Sequence, residues 1–299
     1  MKKIRVDCVI VTYNRLSLLK ECFKAVLNQK YKVNNIIVVN NNSTDNTEEF
    51  LNERMTDTIN LKVVNMKQNL GGAGGFNIGF KYFMNKSNGN YLWIMDDDAI
   101  PHEDTLLELI NKIPQAKPFG FLASNVKWID GKPAVMNKPM KIGRDSNTNL
   151  IKIKSASFVS LLFPRDVIKD VGYPIKDFFI WGDDFEYCTR ITQAGYKSYF
   201  VKNSTIVHKI YKNIPPNIIK ETDKSRIKRY FYESRNLVYI FKKYYRSIGL
   251  IREILRYCFI CLKLIFSNTR YKLKKIGYII KGTVAGITFN PKIEKYYEE

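Results

Sequence analysis

Four short apolar runs, RVDCVIV (5–11), NIIVV (35–39), LKVVN (61–65) and YLWIM (91–95), are separated by stretches with a helical look. No other feature restricts the fold of this chain as tightly. Antiparallel neighbours can be joined by two residues, whereas strands joined through a helix return parallel by a crossover. SLLKECFKAVLNQ (17–29) carries apolar residues at helical spacing behind Ser17, read as its cap. STDNTEEFLNERM (43–55) opens on Ser, Thr and Asp and places Glu48 and Glu49 for a helix N-terminus. GGFNIGFKYFMN (74–85) is the third helix. The rhythm predicts an α/β fold, a mostly parallel sheet with helices on both faces.

In such sheets ligands bind at the carboxyl ends of the strands. Thr12-Tyr13-Asn14, Asn40-Asn41-Asn42, Asn69 and Asp96-Asp97-Asp98 all fall there, so four polar clusters converge on one edge. Downstream, 103–112 reads as a helix, and 119–125 and 156–163 as strands. The stretch 126–155, rich in Lys, Asn, Gly and Pro, reads as a loop or a small excursion over the site. Gly182 to Gly195 reads as a short helix with an acidic start and a glycine stop, followed by a strand at 197–201 and then His208.

Adjacent carboxylates repel and prefer solvent, yet Asp96, Asp97 and Asp98 close a run apolar enough to be buried. A hard divalent cation, Mg²⁺ or Mn²⁺, would resolve the conflict, with substrate phosphates and water completing its shell. A solvated acidic turn is the plainer alternative. NLGGAGGFNIGF (69–80) sets four glycines in five residues before a helix, which suits a loop whose N–H groups approach an anion. It is neither the dinucleotide fingerprint, which would follow the first strand, nor a P-loop, since no Gly-Lys-Ser/Thr occurs. In FFIWGDDFEYCTR (178–190), Asp183 and Asp184 either cap a helix or supply a general base, and the Trp181 indole offers a face for a sugar ring. HEDT (102–105), with the other histidine, forms no metal motif. Cys258-x-x-Cys261 lacks the two further ligands of a zinc site and reads as core or interface.

Charge gathers toward the C-terminal end. Residues 209–299 hold 21 Lys and Arg against 7 Asp and Glu, and so carry +14 of the formal net charge of +21. RNLVYIFKKYYRSIGLIREILRYCFICLKLIF (235–266) interleaves these cations with aromatic and aliphatic residues. Nucleic-acid binding wants cations and aromatics mixed. A membrane-surface helix wants them on separate faces, against anionic lipid. A solvated basic bundle packed on the core is the third possibility. No nucleic-acid motif accompanies the run, so no nucleic-acid partner is expected. Nor does any stretch of about 18 uncharged apolar residues predict a spanning helix. MKKIRVDCVIVTYNR reads as a first strand rather than a signal peptide, and five cysteines, odd in number, fit a reducing, cytoplasmic setting. The expected division is a core over 1–208 and a basic helical region over 209–299.

VTYNRLSLLKECFKAVLNQ, VVNNNSTDNT, NLGGAGGFNIG, WIMDDDAIP and FFIWGDDFEYCTR, in this order over about residues 4–210, resemble the inverting glycosyltransferase family 2. Within it they look like the subgroup of galactofuranosyltransferases and related rhamnosyltransferases. The resemblance implies a GT-A fold, Rossmann-like with a mixed, mostly parallel sheet, and a metal-dependent enzyme that uses a nucleotide-diphosphate sugar. By position, Thr12, Asn14 and Asn40 would line the base and ribose, with Arg15 nearby. Asn69 and the glycine loop at Gly71 would approach the diphosphate and the donor sugar, which Asp97 would face. Asp96, Asp98 and His208 would hold Mn²⁺ or Mg²⁺. Asp184 would deprotonate the acceptor hydroxyl, with Asp183 and Trp181 positioning the acceptor. Asn40 departs from the Asp usual in the family, and an amide offers a pyrimidine both donors and acceptors. The implied donor is UDP-galactofuranose, with dTDP-rhamnose as the alternative, and the acceptor is a saccharide. If that acceptor is lipid-linked, the basic region would hold the enzyme at the inner face of the membrane. A non-catalytic polyanion- or nucleic-acid-binding protein is the rival from another class, and it leaves the acidic and glycine-rich segments unexplained.

Overall fold

β1 (Val6–Thr12) is buried at every position. Cys8 and Ile10 face one apolar layer while Val9 and Val11 face the other. A strand covered on both sides therefore reads as one continuous apolar run. β2 (Asn35–Asn40), β3 (Leu61–Asn65) and β4 (Tyr91–Asp96) join it in the parallel order β3-β2-β1-β4. α1 (Leu16–Leu27), α2 (Thr47–Asp57) and α3 (Gly71–Lys86) make the crossovers. The computed structural model describes residues 3–58 and 60–296, so the extreme ends of the expected first segment and C-terminal region lie outside the described residues.

The chain continues through β5 (Ala99–Pro101), α4 (Thr105–Ala116), β6 (Leu122–Lys127), β7 (Lys141–Arg144), β8 (Ile151–Ile153) and β9 (Leu161–Pro164). After α5 (Arg165–Val171) and α6 (Asp183–Gln193) comes β10 (Ser198–His208). Among the described residues these strands form one ten-stranded sheet, ordered β3-β2-β1-β4-β9-β6-β10-β8-β7 with β5 on β10. β9 lies antiparallel to both β4 and β6, and β10 runs parallel to β6. The sheet is mixed and mostly parallel, as expected. The 126–155 stretch, expected as a loop or excursion, supplies β8, the edge strand β7 beside it, and a 3-10 turn at Val135–Asn137.

Two local expectations are corrected. Ser17 does not cap α1, which starts one residue earlier. Asp45 does so from the next crossover, its Oδ2 accepting the Leu16 N–H and its Oδ1 the Thr47 N–H, both at 3.2 Å. One carboxylate thus serves the first turns of α1 and α2. The glycine-rich stretch is the first turn of α3 rather than a loop. A Cβ at Gly75 or Gly79 would lie 2.4 or 2.5 Å from a methyl of Val11 or Val9, so these glycines let α3 lie against β1.

The basic region is helical. α7 (Lys224–Phe266) breaks at Arg246, where φ is 57°, into limbs 224–245 and 247–266. Tyr257 and Leu264 of the second limb pack with Tyr230 and Val238 of the first and with Ile279 of α8 (Lys272–Thr288). Cys258, expected in a core or interface, is exposed. The first limb rests on the core through Tyr239 and Ile240, which pack on Ile175 and Phe178. Beyond α8 the chain returns to α3. There Glu294 accepts from Lys81 Nζ at 2.9 Å and Asn77 Nδ2 at 3.1 Å.

Candidate active site

Asp96 ends β4 and His208 ends β10. Ligand-type atoms of Asp96, Asp98 and His208 lie within 4.8 Å of one another. His208 Nδ1 is 2.8 Å from Asn137 Oδ1, while Asn137 Nδ2 donates to Ser157 Oγ at 2.8 Å. The amide therefore turns its carbonyl to the ring, and Nδ1 must be the donor. In the neutral ring, Nε2 then points a lone pair at Asp98 Oδ1, 3.0 Å away. That oxygen is buried and accepts no hydrogen bond. A proton on Nε2 or a metal cation would relieve two acceptors so close, and two carboxylates with one imidazole suit Mn²⁺ or Mg²⁺. Electrostatics agree: burial, then the charges of Asp98 and Asp97, push the Asp96 carboxyl well above its ordinary range. Asn137→Ala is expected to weaken Mn²⁺ binding by about 10–100-fold, measured from the electron-paramagnetic signal of free Mn²⁺. An unchanged affinity would remove Asn137 from this role.

Arg15 supplies part of the positive charge from the protein itself. Its Nη1 is 2.6 Å from Asp98 Oδ2 and 3.4 Å from Asp97 Oδ1. Asp97 is tied back to β1, accepting from Thr12 Oγ1 at 2.8 Å and from the Tyr13 N–H at 3.4 Å. Burial raises its carboxyl to about 6, with Arg15 pulling the other way.

Two adjoining clefts of about 470 and 300 Å³ meet here, sharing Arg15, Gly72, Asp96, Ile180 and Arg229. Thr12, Asn69, Gly71 and Asp97 line the smaller one. Asp98, Trp181, Asp183, Asp184 and His208 line the larger. A more voluminous depression, about 1070 Å³, lies under the amino ends of the strands, but no carboxylate lines it.

Asn14 and Asn40, expected against the base, line neither cleft. Asn14 joins two loops, its Oδ1 accepting the Thr44 N–H at 2.6 Å and its Nδ2 donating to Thr44 Oγ1 at 3.2 Å. Asn40 donates to Asn65 Oδ1 at 3.0 Å and accepts the Ser43 N–H at 3.1 Å. The Asn40 amide is spent inside the fold, as is the Thr12 hydroxyl on Asp97, and the exposed Asn14 amide is engaged by Thr44. The expected anion cradle is also largely filled. The Gly71 N–H donates to Asn69 Oδ1 at 2.7 Å, that of Leu70 to Asn41 Oδ1 at 3.0 Å, and that of Ala73 to Phe179 O at 3.2 Å.

Asp183 and Asp184 open α6 behind three residues of positive φ, Phe179 (64°), Trp181 (64°) and Gly182 (89°). Bulky side chains rarely adopt such backbone, and the surroundings must enforce it. Asn236 of α7 does so, its Nδ2 lying 2.7 Å from Trp181 O, 3.0 Å from Phe178 O and 3.2 Å from Ile180 O. Both carboxyls open onto the cleft but are otherwise enclosed by protein. Burial raises Asp184 to about 6 against the pull of the Phe185 N–H. Asp183 rises to about 7, from burial and then the Asp184 charge. Asp183 also adds to the negative field at Asp96, so the two acidic clusters sense one another.

Sequence reasoning missed Arg229, Glu233 and Asn236. Arg229 and Glu233, one turn apart on α7, line the larger cleft, and Arg229 reaches the junction with the smaller. The Arg229 guanidinium makes no hydrogen bond or ion pair with the described residues, and burial, then Arg226 and Arg15, lower its pKa. An unpaired, half-buried cation at such a junction suits an anionic ligand. For Glu233 and Asn236 the available signal was the polar interruption ESRN (233–236) inside an aromatic, basic run.

The sequence profile of glycosyl transferase family 2 matches residues 7–172, from β1 through α5. Galactofuranosyltransferase GlfT1 of Mycolicibacterium smegmatis is 26% identical over 204 residues, covering 64% of this chain and 66% of that protein. Glycosyltransferase AglE of Haloferax volcanii is 27% identical over 199 residues, covering 65% and 64%. The chain thus spans a little under two thirds of the length of these relatives. In fold it is similar to mannosyltransferase PcManGT from Pyrobaculum calidifontis, solved with GDP-Man and Mn²⁺, at a TM-score of 0.59 and 16% identity over 95% of this chain and 87% of that one. With more than half of its length under the family profile and a GT-A fold, the chain belongs to glycosyl transferase family 2.

Proposed function

We propose that the protein is a metal-dependent inverting glycosyltransferase that moves galactofuranose from UDP-galactofuranose to a saccharide acceptor in cell-surface polysaccharide synthesis. The observation that carries this reading is one cleft holding Asp96, Asp98 and His208 together with Asp183 and Asp184. The nucleotide takes the smaller cleft, between Asn69, Gly71 and Asp97, and the acceptor takes the larger, against Trp181. Mn²⁺ or Mg²⁺, held by Asp96, Asp98 and His208, would neutralise the departing nucleoside diphosphate. Arg15 and Arg229 meet the same negative charge from the junction of the clefts. Asp184 takes the proton of the acceptor hydroxyl as its oxygen attacks the anomeric carbon opposite the leaving group, which inverts that carbon. Asp183, deprotonating later, donates a hydrogen bond to the acceptor.

The relative named a galactofuranosyltransferase supports the choice of donor; dTDP-rhamnose is the second choice. The reading places the enzyme in the cytoplasm, at the inner face of the membrane, with its acceptor carried on lipid. The test offers UDP-galactofuranose, UDP-galactopyranose and dTDP-rhamnose with Mn²⁺ to the wild type and to Asp98→Asn, following both binding and consumption. Consumption of one donor by the wild type alone is the expected result. Failure of every donor to bind with metal, beside retained polyanion binding, would favour the non-catalytic alternative.

A further inference from the structure

The second limb of α7 has two apolar faces, and the protein covers only one. Its inner stripe, Gly249, Tyr257 and Leu264, is buried with Glu253. The outer stripe, Ile248, Ile251, Leu255, Phe259, Leu262 and Phe266, recurs every three or four residues and so occupies one side of the helix. All six are exposed, Ile248 at 82% and Phe266 at 87%. α8 repeats the arrangement. Ile279, Gly282 and Gly286 face inward, while Leu273 (83% exposed), Ile280, Val284 and Ile287 face outward. Among the described residues, half of the exposed large apolar side chains lie on these two helices, and exposed apolar surface concentrated in this way marks a contact.

Charge identifies what makes that contact. Residues 234–293 contain 13 Lys and Arg and a single acid, Glu253. Glu253 is buried and ion-paired with Arg256 at 2.6 Å, so the outer surface of the limb presents no carboxylate. Arg252 and Lys263 flank the outer stripe of α7, and Lys274 and Lys281 flank that of α8; all four are exposed. A second copy of the chain would bring these cations against their equals. An anionic bilayer takes the apolar side chains below its headgroups and pairs the cations with lipid phosphates. Among the described residues no helix is long and apolar enough to cross a membrane, so the helices lie along the surface.

We infer that the outer face of α7 from Ile248 to Phe266, with the outer face of α8 beside it, docks the protein onto an anionic lipid surface. The inference takes its purpose, but none of its observations, from the transferase reading. It names the surface for the membrane contact proposed above. The full chain should co-float with vesicles of phosphatidylcholine and phosphatidylglycerol, much less with phosphatidylcholine alone, and less as salt is raised. Combining Ile251→Glu, Leu255→Glu and Leu262→Glu should lower vesicle affinity by at least about tenfold. These side chains are exposed, and the circular-dichroism melt should stay as in the wild type. Cys258 sits on the same stripe, three residues after Leu255, and is exposed. With Cys261→Ser as background, a polarity-sensitive dye on Cys258 should shift to the blue when anionic vesicles are added. Absence of flotation, flotation unaltered by the triple substitution, or an unshifted dye would each overturn the proposal. So would a lipid-free dimer, seen by light scattering, that the triple substitution dissolves, since a second copy would then cover the face. Asp184→Asn should float like the wild type, which keeps a failure of docking distinct from a failure of the transfer reading.

Discussion

Asp184→Asn is expected to lower sugar transfer by about 10²–10⁴-fold, the usual contribution of a positioned general base, with donor and Mn²⁺ binding retained. The amide preserves the shape of the carboxylate and can still accept the Phe185 N–H, which donates to Asp184 Oδ1 at 2.7 Å. It cannot take a proton from an acceptor hydroxyl. The same assignment fixes the sign of the pH dependence. Burial raises the Asp184 carboxyl to about 6, so it is protonated and inert as a base below that pH. The turnover rate should rise as pH climbs through about 6 and level off once the base is ionised. Single-turnover transfer at saturating donor isolates this step, and the limb near 6 should vanish in Asp184→Asn. A variant of full activity, or a wild-type rate flat across this range, would remove Asp184 from the role.

The largest expected loss of stability comes from Arg190→Met. Glu186 on α6 is fully buried. It accepts from Arg190 Nη2 at 2.8 Å, from Arg190 Nε at 3.1 Å and from Tyr244 Oη of α7 at 2.5 Å. The guanidinium also donates to Val171 O at 2.7 Å and Tyr173 O at 2.9 Å. Removing it strands a carboxylate in the interior, at a cost of about 3–5 kcal/mol. Denaturant unfolding should report that loss. Glu186→Met combined with Arg190→Met should lie closer to the wild type than Arg190→Met does, because no charge is then left unpaired. A loss of only about 1 kcal/mol in the single variant, as for an exposed pair, would contradict the argument. The pair matters beyond stability, since α6 carries Asp183 and Asp184 on its first turn and Tyr244 ties it to the basic region.

The sequence made the sheet legible because β1, β2 and β4 are buried on both faces and the first four strands are separated by helices of ordinary length. The strand ends also brought the acidic triplet to one edge, whereas His208 joined it only through the family resemblance. Asn14 and Asn40 lie outside both clefts for a physical reason: an amide at a strand end serves a turn or a ligand equally well, and only the partner distances separate the two uses. Ser17 was displaced as a cap by Asp45, which reaches α1 from another crossover, beyond any local window. The glycines of α3 looked like a loop because close approach to Val9 and Val11 is a tertiary demand that leaves the same mark as a flexible turn. Arg229, Glu233 and Asn236 were hidden inside a run whose composition pointed outward to solvent or lipid. Their inward side depends on where α7 lies on the core.

One short ladder explains how Asp98 and His208, far apart in the chain, meet to within 3.0 Å. β5 starts at Ala99, immediately after Asp98, and its antiparallel pairing sets Ala99 directly opposite His208. The Lys209 N–H closes the rung by donating to Asp98 O at 2.9 Å. The spacing of these two side chains is therefore measured out by backbone rungs, as on a vernier, rather than by how the neighbouring core is filled. A slip of a single residue would turn one of them to the other face of the sheet. Of the 126–155 excursion, only Asn137 reaches this rung's histidine, so the rest of that segment can lengthen or change chemistry without resetting the scale.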